Sequence, residues 1–182
     1  IVALALGENG LPETAQERIA FAEKILHEAG KYGIARGDIA VDCLTLTVSA
    51  QQEQARETLK AVRRIREEFG LETVLGVSNI SFGLPQRQLV TQAFLTQAIL
   101  AGLTLPIINP NQKEIVDAVD ACRVLCGEDV SCSAYIERHA QTAEKKTDKQ
   151  SHKDAACMTI EEAIAKGMKA EAAEIAKVML GT

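Results

Sequence analysis

The chain has 182 residues, 47% of them hydrophobic and 25% charged, with a net charge of −5. That size and balance suit one well-buried core with an appendage, and the negative charge gives no general attraction to nucleic acid or to an acidic membrane. Four Phe, two Tyr and no Trp leave little for base stacking, and no apolar run reaches the length of a membrane span.

Ile1–Leu6 (IVALAL) is a continuous apolar run and reads as a strand. The loop GENGLPET follows, and Thr14 with Glu17 has the spacing of a capping box. Ile19, Ala22, Ile25, Leu26 and Ala29 recur at helical spacing up to Gly30. The second strand is expected over Asp38–Leu46, and the next helix is expected to be capped by Ser49 and Gln52. Its stripe is Ala55, Leu59, Val62, Ile65 and Phe69, closed by Gly70. Thr73–Val77 is the third strand. Pro85 opens a helix running to Ala101, and Leu105–Ile108 is the fourth strand. Pro110 begins a helix striped by Ile115, Val119, Cys122 and Cys126. Asp129–His139 suits a short helix.

Residues 141–154, QTAEKKTDKQSHKD, are densely polar without an apolar period and read as a linker. Thr159 and Glu162 suggest another capping box, and a short helical hairpin follows, with an apolar stripe of Ile175, Val178 and Met179. The chain starts inside a strand without a Met and stops behind an apolar helical face, so a piece of a longer polypeptide is expected. Five cysteines, an odd number scattered through an Ala- and Glu-rich chain, fit a reducing cytoplasm better than a disulfide scaffold.

Strand–helix alternation of this kind implies a parallel sheet with right-handed crossovers. Two architectures fit it: an open doubly wound sheet, or a section of a (β/α)8 barrel, which needs about 250 residues when complete. In both, function belongs to the carboxyl ends of the strands. The polar residues sit there: Glu8 and Asn9; Asp42, Thr45 and Thr47; Ser78, Asn79 and Ser81; Asn109.

Asp42 stands out, because a carboxylate among Val41, Cys43 and Leu44 is costly unless hydrogen-bonded. It reads either as an acceptor for neighbouring backbone N–H groups or a Lys, or as an acceptor for a ligand with adjacent N–H donors. Asn79 can donate and accept, which suits a ring nitrogen whose charge changes; its bland alternative is a turn residue. Gly76 and Gly83 would let backbone approach a flat ligand, or simply make a turn. Cys122 and Cys126 suit core packing; a zinc site with Cys132 lacks the usual ligand spacing, and no metal site is expected.

Three segments together, VDCLTLTVS (41–49), VLGVSNISFGLPQR (74–87) and LPIINP (105–110), resemble the pterin-binding methyltransferase domain of cobalamin-dependent methionine synthases. Methyltetrahydrofolate–corrinoid protein methyltransferases carry the same domain type. The resemblance covers about residues 1–139, and GVSNISFGLP is its most specific part. Residues 159–181, TIEEAIAKGMKAEAAEIAKVMLG, resemble the start of the helical cap that precedes a cobalamin-binding domain.

The resemblance implies an α/β fold that is the latter half of a TIM-type (β/α)8 barrel: four βα units over 1–139, a linker over 140–158, and the start of the cap over 159–182. It implies an enzyme fragment that serves transfer of the N5 methyl of 5-methyltetrahydrofolate to cob(I)alamin, with cobalamin held by a neighbouring module in cis. Asp42, Gly76, Asn79 and Ser81 would bind the pterin, and Asn79 would also be catalytic, near N5. Strands carrying further pterin contacts are absent from the chain, as are the Asp-x-His-x-x-Gly cobalt-ligand motif and a homocysteine module. A dihydropteroate synthase-like enzyme is the nearest alternative, but its usual lysine and Ser-x-Arg signature are missing. An inactive half-barrel scaffold that survives as a homodimer is the alternative from another class.

Overall fold

Thr14 opens the first helix as the sequence expects. Its hydroxyl accepts from the Glu17 amide at 3.2 Å, and the Glu17 carboxylate accepts from the Thr14 amide in return. The computed structural model describes residues 1–7, 10–140 and 175–176. Its elements are β1 (Val2–Leu4), α1 (Ala15–Lys31), β2 (Ala40–Asp42), α2 (Gln54–Phe69), β3 (Glu72–Gly76), α3 (Arg87–Ala101), β4 (Leu105–Ile107) and α4 (Lys113–Leu125).

The strands are shorter than their apolar runs, for local reasons. Arg36–Asp38 forms a 3-10 turn, so β2 starts late. Leu44 has φ 62, a left-handed backbone that ends extended pairing. Asp42 therefore terminates β2, where the sequence suggested a mid-strand position. Ser49 and Gln52 do not cap α2: Glu53 holds that position without a side-chain bond, and the Ser49 hydroxyl donates instead to the Phe82 carbonyl at 2.8 Å. α3 starts at Arg87, beyond Pro85, because Gln86 is left-handed at φ 46. α4 starts at Lys113, beyond Pro110; Asn109 Oδ1 accepts from the Asn111 amide at 3.0 Å and holds a turn there.

The four strands form one parallel sheet in the order β1-β2-β3-β4. Each helix packs on the next, α1 on α2, α2 on α3, α3 on α4. An order without reversal sends every right-handed crossover to the same side, so the doubly wound arrangement is not seen among the described residues. Pairing aligns Ala3, Val41 and Thr73 on the helix side, where all three are buried. Leu75 continues that face, and Ile19, Val62, Ile65, Leu95 and Ile115 pack over it from the helices. Each such fully buried Leu or Ile contributes about 1.5–3 kcal/mol.

The opposite face carries the register row Leu4–Asp42–Val74–Leu105. Leu4 is 50% exposed, Leu105 48% and Ile107 61%. Thus one apolar face is covered by helices and the other has Asp42 set among aliphatic side chains.

The chain divides into two compact units, Ile1–Val130 and Ser131–Thr182. In the second, a helix covers 133–140, with the Tyr135 and His139 ring centroids 4.4 Å apart. The expected linker and helical hairpin lie almost wholly outside the described residues.

Candidate functional site

Four segments reach the carboxyl ends of the strands. The loop after β2 turns at once, because the Leu44 amide donates to Asp42 Oδ1 at 2.9 Å. Asp42 thus meets the backbone acceptor role that its burial demands. Its second carboxylate oxygen has no partner among the described residues, and it faces the helix-free side. Burial pushes the Asp42 carboxyl above the usual carboxylate range, partly countered by the Leu44 N–H.

Behind Asp42, on the helix side, Cys43 is buried and its thiol is pushed up to about 12, chiefly by burial, then by Asp42, against the opposing charge of Arg18. Arg18 itself is fully buried; one guanidinium nitrogen donates to Gln54 Oε1 at 2.6 Å. Gln54 in turn donates to the Glu13 carbonyl at 2.9 Å, and Thr58 donates to the Leu44 carbonyl at 3.0 Å. These bonds anchor the loop after β2 to α1 and α2. Cys43 is a packed thiol without nucleophilic character.

After β3 the backbone enters a 3-10 turn, Val77–Ser81. Val77 and Ile80 are buried and root it, while Asn79 is exposed. Gly76 follows Val74 by two residues, so it shares the helix-free face with Asp42. A Cβ on Gly76 would stand 3.0 Å from Asn79 Nδ2. The Asn79 amide therefore folds back over Gly76 on that same face, and it has no hydrogen-bond partner among the described residues. From strand spacing and rise, the Asp42 and Gly76 Cα atoms are roughly 8 Å apart. The structure brings Asp42, Gly76 and Asn79 together at one rim.

Ser81 is placed differently. It is fully buried, and its hydroxyl donates to the Ser78 carbonyl at 3.2 Å. It also lies 2.8 Å from Thr91 Oγ1 and accepts from Arg87 Nε at 3.2 Å. Its hydrogen-bonding capacity is spent inside the turn. Gly83, with φ 80, makes the turn beyond it. Glu8 and Asn9 lie outside the described residues.

Arg87 was not singled out by the sequence. Its guanidinium donates to the Ser78 carbonyl at 2.8 Å and lies 5.5 Å from the Phe82 ring centroid. It also lines a crevice of about 620 Å³ with Ser78, Thr91, Ile107, Asn109 and Gln112. The signal was available: Arg87 has no acidic residue within four positions along the chain. Asp42, Gly76 and Asn79 do not line this crevice; their face is open sheet rather than an enclosed cavity. Among the described residues no group of three or more His, Cys, Asp or Glu could hold a metal ion, and no helix is long and apolar enough to cross a membrane.

A parallel sheet with helices on one face and unspent polar groups at its carboxyl rim defines an α/β domain of the class in which ligands bind at the strand ends. Residues 8–109 match the family described as pterin binding enzyme, and the chain belongs to that family. It is 35% identical over 120 residues to methionine synthase of Mycobacterium tuberculosis, covering 62% of this chain and 10% of that protein. It is 33% identical over 120 residues to methionine synthase of Mycobacterium leprae, with the same coverage. It is 27% identical over 142 residues to methylcorrinoid:tetrahydrofolate methyltransferase of Eubacterium limosum, covering 78% of this chain and 52% of that protein. The chain thus spans about half of the Eubacterium protein and a tenth of the mycobacterial ones.

Proposed function

We propose that the chain is part of a cytoplasmic methyltransferase that carries the N5 methyl of 5-methyltetrahydrofolate to a corrinoid. One observation supports this reading above the others. In a pterin binding enzyme, Asp42 and the Asn79 amide, the latter folded over Gly76, present unspent hydrogen-bonding groups on one face of a parallel sheet.

Asp42 accepts from the adjacent N–H donors of the pterin edge, a pairing that a carboxylate makes strongly. Gly76, without a Cβ, lets the Asn79 amide lie close over the strand end and leaves the face beside it to the flat ring. Asn79 sits beside N5 and switches between donor and acceptor as that nitrogen loses its methyl, with water supplying the proton. Catalysis of this kind is positional and electrostatic, without a protein nucleophile. Ser81 positions the turn that carries Asn79. Arg87, which has no carboxylate partner among the described residues, suits the anionic end of a folate. The methyl acceptor would be a corrinoid held by another module, since the donor set described here does not fit one.

The uncovered row of Leu4, Leu105 and Ile107 supports a half-barrel over 1–139, completed by further strands of the same polypeptide; the linker over 140–158 and the start of a cobalamin cap over 159–182 rest on the sequence resemblance alone. Alone, the same face favours a homodimer, which light scattering at several concentrations would detect.

The test is titration of the full-length protein with 5-methyltetrahydrofolate. Saturable binding, weakened in Asp42→Ala, is expected. Equal binding by both proteins would remove the reading.

A further inference from the structure

Phe82 has no place in the mechanism above, yet its situation is unusual. It is 66% exposed, in a chain with only four Phe. Its backbone is nevertheless held on both sides. The Phe82 amide donates to the Asn79 carbonyl at 3.2 Å. Its carbonyl accepts from Thr47 Oγ1 at 2.7 Å and from Ser49 Oγ at 2.8 Å. The ring has the Arg87 guanidinium 5.5 Å from its centroid, a cation–π distance. One face of the ring is therefore braced, and the residue's high exposure leaves the other open to solvent.

Its place relative to Asn79 follows from the 3-10 turn. Residues three apart in such a turn lie on the same side, about 6 Å apart along its axis. Phe82 thus follows Asn79 by one turn, on the solvent side of the rim. A tetrahydrofolate is a pterin joined by a short methylene–amine bridge to a flat p-aminobenzoyl ring. With the pterin on the sheet face between Asp42 and the Asn79 amide, an aryl ring that leaves along the turn passes Phe82.

We infer that Phe82, braced by Arg87, is a stacking platform for the p-aminobenzoyl ring, and so selects folates over bare pterins. This rests on the pterin-site reading and adds to it a specificity residue. An aromatic on a held backbone, with a guanidinium over one face and the other free, offers offset stacking at a reduced entropic cost. A docking role for Phe82 against the corrinoid-bearing partner is the competing outcome, and the experiment separates the two.

The full-length protein is titrated with 5-methyltetrahydrofolate and with 5-methyltetrahydropterin, the same ring without the aryl tail. The unaltered protein, Phe82→Ala, Phe82→Leu and Phe82→Trp are compared. Phe82→Ala and Phe82→Leu should weaken the folate on the order of tenfold and leave the pterin unchanged. Phe82→Trp should keep the preference. Retained binding of the bare pterin shows in the same measurement that each variant is folded. An unchanged folate-to-pterin ratio in Phe82→Ala overturns the platform. So does a full preference in Phe82→Leu, because any apolar side chain would then suffice. A slower transfer to the corrinoid with both affinities intact assigns Phe82 to docking instead. If the unaltered protein binds neither ligand, the pterin reading falls first, and the platform with it.

Discussion

Gly76→Ala separates the site from the fold. The added methyl would stand 3.0 Å from Asn79 Nδ2 and 3.8 Å from Asn79 Cγ, and among the described residues no other heavy atom outside the adjoining residues lies within 4 Å. A relaxed contact between such atoms is about 3.5–4.0 Å, so the amide must retreat by about half an ångström or more. The backbone offers little resistance, since Gly76 has a negative φ of −75 with ψ 82, close to the inverse γ-turn that alanine can adopt. The exposed Asn79 amide can swing away without disturbing packing. Stability should therefore change by less than about 1 kcal/mol, with a tilt toward stabilisation from the stiffer unfolded chain. Function should not be spared. A misplacement of about 1 Å can cost on the order of a hundredfold in rate, so half of that suggests about tenfold. The assay is single-turnover methyl transfer from 5-methyltetrahydrofolate in the full-length protein, beside a thermal melt. An unchanged rate at an unchanged melting temperature would refute the idea that the amide over Gly76 is the working group.

Asp42→Ala should weaken folate binding by about 1.5–3 kcal/mol, the loss of one charge-assisted hydrogen bond; calorimetry showing a change under about twofold counts against it. Burial raises the Asp42 carboxyl and the Leu44 N–H only partly offsets this, so the ionised acceptor forms at a pH above the ordinary aspartate value of about 4. Folate affinity should rise with pH through that window, whereas the ligand-free fold, which holds the proton more tightly than the unfolded chain, should lose stability across it. Affinity that falls as pH rises there would contradict the assignment. Asn79→Ala should slow single-turnover transfer more than it weakens binding, and equal losses would speak against a role at N5. Iodoacetamide at mild alkaline pH should spare Cys43, whose buried thiol is pushed up to about 12, and label the exposed Cys126; rapid modification of Cys43 in peptide mass maps would contradict its packing.

Much of this arrangement was legible because the determinants are local. Thr14 and Glu17 lie within one turn and found each other as their spacing requires. The apolar runs marked four strands and their order, since consecutive βα units leave few choices. The errors arose where distant residues intervened. Ser49 reads as a helix cap until the carbonyl of Phe82, 33 positions away, claims its hydroxyl. A local determinant can be silent too: Leu44 carries no mark of a left-handed backbone, so the apolar run continues through Asp42 while β2 stops there. Ser81 reads as a rim hydroxyl, but Arg87 and Thr91, both on α3, draw it inward. Asp42, Gly76 and Asn79 were legible as residue types in a motif; that they share the helix-free face required the strand register.

The grip of Thr47 and Ser49 on the Phe82 carbonyl has a dynamic consequence. The Val48 amide adds a third bond, to the Ile80 carbonyl at 3.0 Å. Three short links across one gap leave the two rim segments little freedom to drift independently, so their thermal displacements must be largely shared. Fluctuations that carry the backbone at Asn79 outward carry the loop after Asp42 with it, so the two main-chain segments keep their spacing while the Asn79 side chain retains its own rotation. A ligand reaching across them would meet a gauge already set, and would surrender little of its binding energy to stilling the loops.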